Sequence, residues 1–310
     1  TEVKKIIPKI IEIIEPMPKN TAACIGLSAI SLLDKDKDAV MFLETADHIY
    51  NNIELYLEHI KKSLEIASNN EKIVLIGINP QFPHTGLGYV EKGDMFGEED
   101  KINSYIVKSF KEKPDLETAK SYVDSGKFLW NSGMFVAKCS VMLDEIKKNL
   151  PGHYEGLMKI KESGFDKEVI KNEFEKFEKI SIDYGVMEKS DKTVVIDANM
   201  HWDDVGDLKA FERYLKKDEN GNSVIAFGNN PVKFAWNDSK NNIVIDRRSG
   251  VCKDEKEITD SKTNQKNKMI ALNGINDSII VCTDDVILVS DKEKAQDVKK
   301  IVGKISEEFK

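Results

Sequence analysis

Little in this chain could build a nucleophilic or redox centre. Its 310 residues include four cysteines, Cys24, Cys139, Cys252 and Cys282, far apart and without a CxxC pair. Such usage fits reduced, mostly buried thiols and speaks against a disulfide framework or a zinc knuckle. The five histidines, His48, His59, His84, His153 and His201, show no HExxH or other ligand spacing. There is no G-x-S-x-G elbow for a hydrolytic serine and no G-x-x-x-x-G-K-S/T phosphate loop. Long hydrophobic runs are missing as well. The apolar N-terminal stretch "TEVKKIIPKIIEII" is interrupted by Pro8, Lys9 and Glu12, and no small-residue cleavage site follows it, so neither a membrane span nor export is expected and the setting is read as cytoplasmic. Positive charge is not in excess. The formal net charge is -8 and lysines are interspersed with acids, which leaves no basic face to track a nucleic-acid backbone.

What is present is a globular composition, 40% hydrophobic and 32% charged, enough for one large or two medium domains. The run "AACIGLSAISLL" has helical spacing, with Asn20 or Thr21 placed to cap it. Strand-length apolar runs at 38–43 and 72–78 flank an amphipathic helix at 52–68 carrying Leu55, Ile60, Leu64 and Ala67 on one face. Strand, helix, strand predicts a parallel α/β sheet covered by helices over the first two thirds. "KPDLETAKSYVDSGK" (113–127) is a helix between Pro114-Asp115 and Gly126, and "FLWNSGMFVAK" (128–138) reads as strand, turn, strand bent at Asn131-Ser132-Gly133. Residues 140–190 are expected to be mostly helical, with an N-cap at Ser140 and a break at Pro151. From about 223, short alternating runs predict a small β domain ending in a helix at 291–305. No internal repeat suggests a solenoid. A boundary within 209–222 divides the chain into domains 1–215 and 216–310.

Two loops fail as sites. "DKDKDAVMFLET" (34–45) starts like a calcium loop but has Ala39 and Thr45 where Gly and Glu belong. "GLGYVE" (86–91) lacks the third glycine of a dinucleotide fingerprint and opens no helix. Two acidic stretches survive: "ADH" (46–48) after the strand at 38–43, and "WDDVG" (202–206) after the strand at 193–197. Ligands of open α/β sheets bind beyond the carboxyl ends of strands, where such carboxylates suit Mg²⁺ together with substrate phosphates. Taken singly, each aspartate is better explained as a cap for the turn or helix that follows.

The order of motifs adds to this. "IIEPMPKNTA", "DAVMFLETADH", "LIGINPQFPHTGLGYVEKGD", "FKEKPDLETAKSYVDSGKFLWNSGMF", "SIDYGVMEK" and "HWDDVGD" follow one another much as in the mannose-1-phosphate guanylyltransferases, a resemblance running from about residue 5 to 305. It implies a Rossmann-like, GT-A-like nucleotide-diphospho-sugar transferase: a mixed sheet flanked by helices, plus a small C-terminal β domain. It also implies formation of GDP-mannose and pyrophosphate from GTP and mannose 1-phosphate. By the same resemblance, Asp47 and Asp204 hold Mg²⁺, with Asp203 a neighbour at a position where the family commonly has Ser. Lys113 neutralises phosphate. Gly88, Tyr89, Glu112, Asn131, Gly133 and Asp183 form the sugar-phosphate pocket, and Asn20 and Thr21 lie near the guanine. β domains with edge strands often pair, which leaves a homodimer open without fixing the oligomeric state.

The departures from the family are specific. Lys19 replaces the Arg of its R-N-T-A segment and loses a planar, bidentate donor. Glu44-Thr45 replaces the Leu-Pro before its A/S-D-H, and Asp207-Leu208 replaces the Ser-Trp after its D-V-G. The family also opens with a strand, a G-G-x-G-T-R-L loop that holds the triphosphate and a P-K-Q segment, none of which occurs in these 310 residues. The expectation is therefore double: an enzyme seen as an N-terminally truncated piece with a strand left unpaired, or a noncatalytic relative that binds a sugar nucleotide or regulates a partner.

Overall fold

The computed structural model describes residues 7, 9–97, 101–206, 208–227, 233–248 and 269–305. Contacts divide the chain into two units, Thr1–Asp203 and Asp204–Lys310. The division falls earlier than the expected 215/216 because Leu208, Phe211 and Leu215 pack with Ile243, Ile245, Ile279 and Ala295 of the second unit. Segment 208–215 thus buries its apolar side chains with the β elements that follow it.

In the first unit, helix α1 (Thr21–Leu33) starts at an N-cap, Asn20, whose side chain accepts from Thr21 N. Strand β1 (Val40–Leu43) leads through a turn to β2 (His48–Tyr50), and α2 (Ile53–Asn69) is capped by Asn52. Then come β3 (Ile73–Ile78), β4 (Gly88–Met95) and β5 (Ser104–Lys111). Helix α3 (Leu116–Ser125) runs from its Asp115 cap to Gly126 in the left-handed conformation, the punctuation expected of it. Strand β6 (Phe128–Lys138) is followed by α4 (Cys139–Asn149), α5 (Pro151–Glu162) and α6 (Lys167–Lys176). A π-helical turn (Asp183–Met187) leads to β7 (Thr193–Ala198) and β8 (Trp202–Asp204), which pairs with β2.

The sheet order is β1-β6-β3-β7-β5-β4, with β6 also pairing β4. Only β3 and β7 run parallel, while β1–β6, β3–β6, β4–β5, β4–β6 and β5–β7 are antiparallel. The parallel sheet read from the strand-helix-strand pattern is therefore corrected to a mixed one. β1 and β3 are not neighbours, because β6 lies between them. The expected bend at Asn131-Ser132-Gly133 is also corrected, since β6 is a single strand. Gly133 absorbs the distortion at a φ of 76° inside it, and the register against β3 shifts between Leu75 and Gly77. Gly77 has to be glycine: a Cβ there would come within 2.7 Å of Leu129 and of Val195. Ser140 lies inside α4, whose N-cap is Lys138, whereas Pro151 does open the next helix.

All six residues of β3 are buried, as expected of a central strand covered on both faces. One core packs α1, α4 and α5 with Leu75, Leu129, Phe135 and Val195. Another gathers Ile60, Tyr89, Trp130, Met134 and Trp202.

The second unit is coiled. Strands β9 (Ser223–Ala226), β11 (Ile243–Asp246) and β13 (Ser278–Cys282) stack in parallel, aligning Val224, Val244 and Ile280. β10 (Lys233–Asn237) pairs in parallel with β12 (Met269–Asn273). β14 (Ile287–Asp291) closes the stack antiparallel to β13, and α7 (Val298–Val302) follows. This β-helix-like stack corrects the absence of a solenoid. Equivalent positions recur at spacings of 20 and then 36 residues, as in Asn222, Asn242 and Ser278, so no fixed period appears in the sequence. The side chains of these residues tie the coils together. Asn222 Oδ1 accepts from the backbone and amide nitrogens of Asn242, both at 3.0 Å, and Asn242 Oδ1 accepts from Ser278 N at 3.0 Å.

Candidate active site

Four elements of the first unit converge on a small group of polar side chains. Gly88 of β4 stands opposite Asn131 of β6. Glu112 follows directly on β5, and its backbone N–H donates to Glu188 Oε1 at 2.9 Å. Asp183 begins the π-helical turn and accepts from Asn131 Nδ2 at 2.9 Å. π-turns place one residue out of helical phase and recur at functional sites. Here the turn presents Asp183 at its start, with Glu188 just past its end, to two different strands.

Electrostatically the group is a crowded acidic pocket. Glu112 is buried, its Oε2 has no hydrogen-bond partner among the described residues, and a Cβ on Gly88 would run into that oxygen. Glycine at 88 thus lets the carboxylate lie directly against the strand. Burial, reinforced by the charge of Asp183, pushes the Glu112 carboxyl up to about 7. Burial likewise raises Asp183, against the hydrogen bond from Asn131. Lys113 is the counter-charge, with Nζ 3.5 Å from Glu112 Oε1. It is also a non-glycine residue at a φ of 48°, a conformation disfavoured for side-chain-bearing residues. Pro114 immediately follows and restricts it further.

The segment before the π-turn holds α1. Ile182 N donates to Thr21 Oγ1 at 2.9 Å, and Ala22 N donates to Ile180 O at 3.3 Å. The exposed pair Asn20-Thr21 therefore docks immediately beside the segment that carries Asp183. Asn20 sits at a φ of 68°, which asparagine tolerates better than most residues. Lys19 has a structural use: its Nζ donates to the Glu175 and Phe177 carbonyls at the end of α6, both at 2.9 Å.

Of the residues named from the sequence, Gly88, Glu112, Lys113, Asn131 and Asp183 come together, and Thr21 adjoins them. Gly133 lies in the same strand, and its N–H donates to Asn131 Oδ1 at 3.2 Å. Tyr89 points elsewhere: it is fully buried in the core with Trp130, and its hydroxyl accepts from His84 N at 2.8 Å. Its neighbour Gly88 meets Glu112, so alternation along β4 sends the Tyr89 ring to the opposite face. Asp47 is exposed in the turn before β2. Asp204 closes β8 as the first residue of the second unit, and its carboxylate lies over Gly206. Asp203 is half-buried, and Asp207 lies outside the described residues. Glu188 was missed as a site residue, although it stands in the quoted "VMEK"; only the fold shows that it reaches Glu112. Cys139 and Cys282 are buried free thiols as expected, Cys24 is exposed, and Cys252 is outside the described residues.

No group of three or more His, Cys, Asp or Glu suited to a metal occurs among the described residues. A cation can also be held by one or two carboxylates and shared with substrate phosphates and water, the habit of Mg²⁺. An exposed hard carboxylate such as Asp47 fits that donor set. No described helix is long and apolar enough to cross a membrane.

Known proteins resemble this chain along most of its length. The nucleotidyl transferase family model matches residues 2–221, and a MannoseP isomerase/GMP-like beta-helix domain matches 260–305. Mannose-1-phosphate guanylyltransferase 2 of Escherichia coli O157:H7 is 33% identical over 302 residues, 94% of this chain and 57% of that protein. The mannose-1-phosphate guanylyltransferase of Salmonella muenchen is 35% identical over 296 residues, 94% of this chain and 56% of its own. A crystal structure from Thermus thermophilus, described as a mannose-1-phosphate geranyltransferase, superposes with a TM-score of 0.75 at 26% identity, covering 98% of this chain and 80% of that one. The chain spans a little over half the length of the curated relatives it matches. With a family match across the mixed sheet, the β-helix match behind it and relatives above 30% identity, the chain belongs to the nucleotidyl transferase family and is similar within it to the mannose-1-phosphate guanylyltransferases.

Proposed function

We propose that this chain takes part in guanylyl transfer, forming GDP-mannose and pyrophosphate from GTP and mannose 1-phosphate. The observation that carries the reading is the buried, unpartnered Oε2 of Glu112 against Gly88. A buried carboxylate oxygen left without a donor costs free energy, and a sugar hydroxyl would supply that donor. Asn131 and Asp183 offer further hydrogen-bonding atoms beside it, while Lys113 supplies the charge a sugar phosphate requires. The docking of Thr21 next to the Asp183 segment supports Asn20 and Thr21 as neighbours of the guanine.

The chemistry asks little more of the protein. The second pKa of a sugar phosphate is roughly 6, so at neutral pH it is already a dianionic nucleophile and needs no general base. The work left is to align attacker, α-phosphorus and leaving pyrophosphate and to offset their charge. Lys113 would hold the attacking phosphate in place, and the Glu112, Asn131 and Asp183 group would orient the sugar. Bound Mg²⁺ would screen the phosphates. Asp47 and Asp204 are its proposed carboxylates, an assignment that rests on the resemblance. Free thiols at Cys24, Cys139 and Cys282 are compatible with a cytoplasmic setting.

The test is pyrophosphate release from GTP plus mannose 1-phosphate with Mg²⁺, for this chain and for Asp204→Asn. The expected result is release that the substitution lowers by several kcal/mol of barrier, the scale of a lost metal clamp on phosphoryl oxygens. Equal release by both proteins removes Asp204 from the site. Folded protein that binds GDP-mannose yet releases nothing supports a binding or regulatory role instead.

A further inference from the structure

Glu44 and Thr45 stand where the resembled family carries Leu-Pro, and the structure gives both side chains a use. The 44–47 turn joins β1 to β2 and exposes Asp47. Glu44 accepts two phenol hydrogens, one per oxygen: Tyr50 OH at 2.5 Å on Oε1 and Tyr56 OH at 2.6 Å on Oε2. The two rings lie 4.3 Å apart between centroids. Thr45 Oγ1 meets His48 Nε2 at 2.5 Å, the other ring nitrogen of His48 meets Tyr50 OH at 3.2 Å, and that hydroxyl also contacts the Met134 sulfur at 3.2 Å. The His48 ring in turn stands edge-on to Trp202, 5.0 Å between centroids.

We propose that Glu44 is a positioning residue: with Tyr50 and Tyr56 it fastens the 44–47 turn to β2 and α2 and so sets the direction of the Asp47 carboxylate toward a divalent cation. The inference rests on the reading of Asp47 as a metal carboxylate and adds a residue to it. A proline would restrict such a turn through its fixed φ. Without one, the turn keeps its backbone freedom unless side chains remove it, and here both ends are tied. The ties reach three separate elements: Tyr50 on β2, Tyr56 on α2 and Met134 on β6. The two phenol bonds hold the turn and not the strands of the sheet, so losing the pair releases the turn without unfolding the sheet behind it. Asp47 itself spends no hydrogen bond on the clasp among the bonds described, which leaves its carboxylate for a ligand.

The experiment measures Mn²⁺ binding to the full chain, without substrates, by the electron paramagnetic resonance of free Mn²⁺. It compares Glu44→Ala, Tyr56→Phe, their combination and Asp47→Asn, with circular dichroism to check folding and the affinity for mannose 1-phosphate measured alongside. The expected result is about tenfold weaker Mn²⁺ binding in Glu44→Ala and a smaller loss in Tyr56→Phe. The combination should be no worse than Glu44→Ala alone, since both act through one clasp. Affinity for mannose 1-phosphate should stay unchanged, which general loosening of the fold would not allow. If Asp47→Asn weakens Mn²⁺ binding while Glu44→Ala and Tyr56→Phe leave it intact, the clasp does not position Asp47 and the proposal fails alone. If Asp47→Asn leaves Mn²⁺ binding unaltered, the metal reading fails and takes the proposal with it.

Discussion

At the scale of single residues, Glu112 has the most consequential surroundings. Its carboxyl is raised to about 7, first by burial and then by Asp183. A raised carboxyl means that the fold favours the protonated form. Its stabilising contribution is therefore complete below the ordinary carboxylate range and is lost as pH rises through about 7. That loss is on the order of 3 kcal/mol, since the carboxyl rises from 4.5 to about 7 and one pKa unit corresponds to about 1.4 kcal/mol. Asp183 is raised as well and acts in the same direction. Glu112→Gln should thus flatten the decline of the thermal midpoint between about pH 4.5 and 7 relative to the parent protein. Equal slopes in differential scanning calorimetry would remove Glu112 as the cause. Gly88→Ala tests the same pocket sterically. Its Cβ would displace the Glu112 carboxylate, and the expected outcome is at least a tenfold loss of mannose 1-phosphate affinity by calorimetric titration in a protein that still folds. The roles of Glu112, Asn131 and Asp183 came from the motif resemblance. That Glu188 braces Glu112, and that Tyr89 turns away, depend on which face of each strand looks where.

At the scale of elements, punctuation residues were the legible part. Asn20 and Asp115 cap the helices expected after them, and Gly126 ends α3 in the left-handed conformation, because caps act on backbone groups only a few residues away. Strand pairing was not legible. The β6 sequence contains Asn-Ser-Gly, a turn signal in isolation, yet its flanks pair with β1, β3 and β4. Those ladders hold it extended, and Gly133 alone takes the distortion. The contact of α5 with the end of α6 gives a test at this scale. At Gly156 an added Cβ would meet the Phe177 ring, which itself stacks on His153 at 4.7 Å. Gly156→Ala should overpack the contact and cost about 1–3 kcal/mol in urea unfolding. An unchanged midpoint would show that Phe177 can move aside without penalty.

At the scale of the whole molecule, the two units differ in what holds them together. The first buries both faces of a mixed sheet under helices. The second stacks coils through an internal ladder in which Asn242 receives and gives hydrogen bonds to the coils on either side. Asn242→Ala leaves the Ser278 N–H without that acceptor, at roughly 1–3 kcal/mol for each buried group left unpaired. Hydrogen exchange should then accelerate in β9, β11 and β13 while β3 and β7 keep their protection; uniform acceleration of both units would contradict a ladder local to the second. The order of residues was enough to establish the caps at Asn20 and Asp115, the apolar strands, and a motif succession specific enough to point to the nucleotidyl transferase family. These are local or compositional properties, set by residues close together in the chain. It took packing in three dimensions to make the sheet mixed, to wind the second unit into a coil of unequal turns, and to bring Gly88, Glu112, Asn131 and Asp183 into one pocket braced by Glu188. The partners of these groups lie up to 76 residues apart, as for Glu112 and Glu188, and such pairings are set by burial and by the reach of a hydrogen bond, neither of which spacing along the chain encodes.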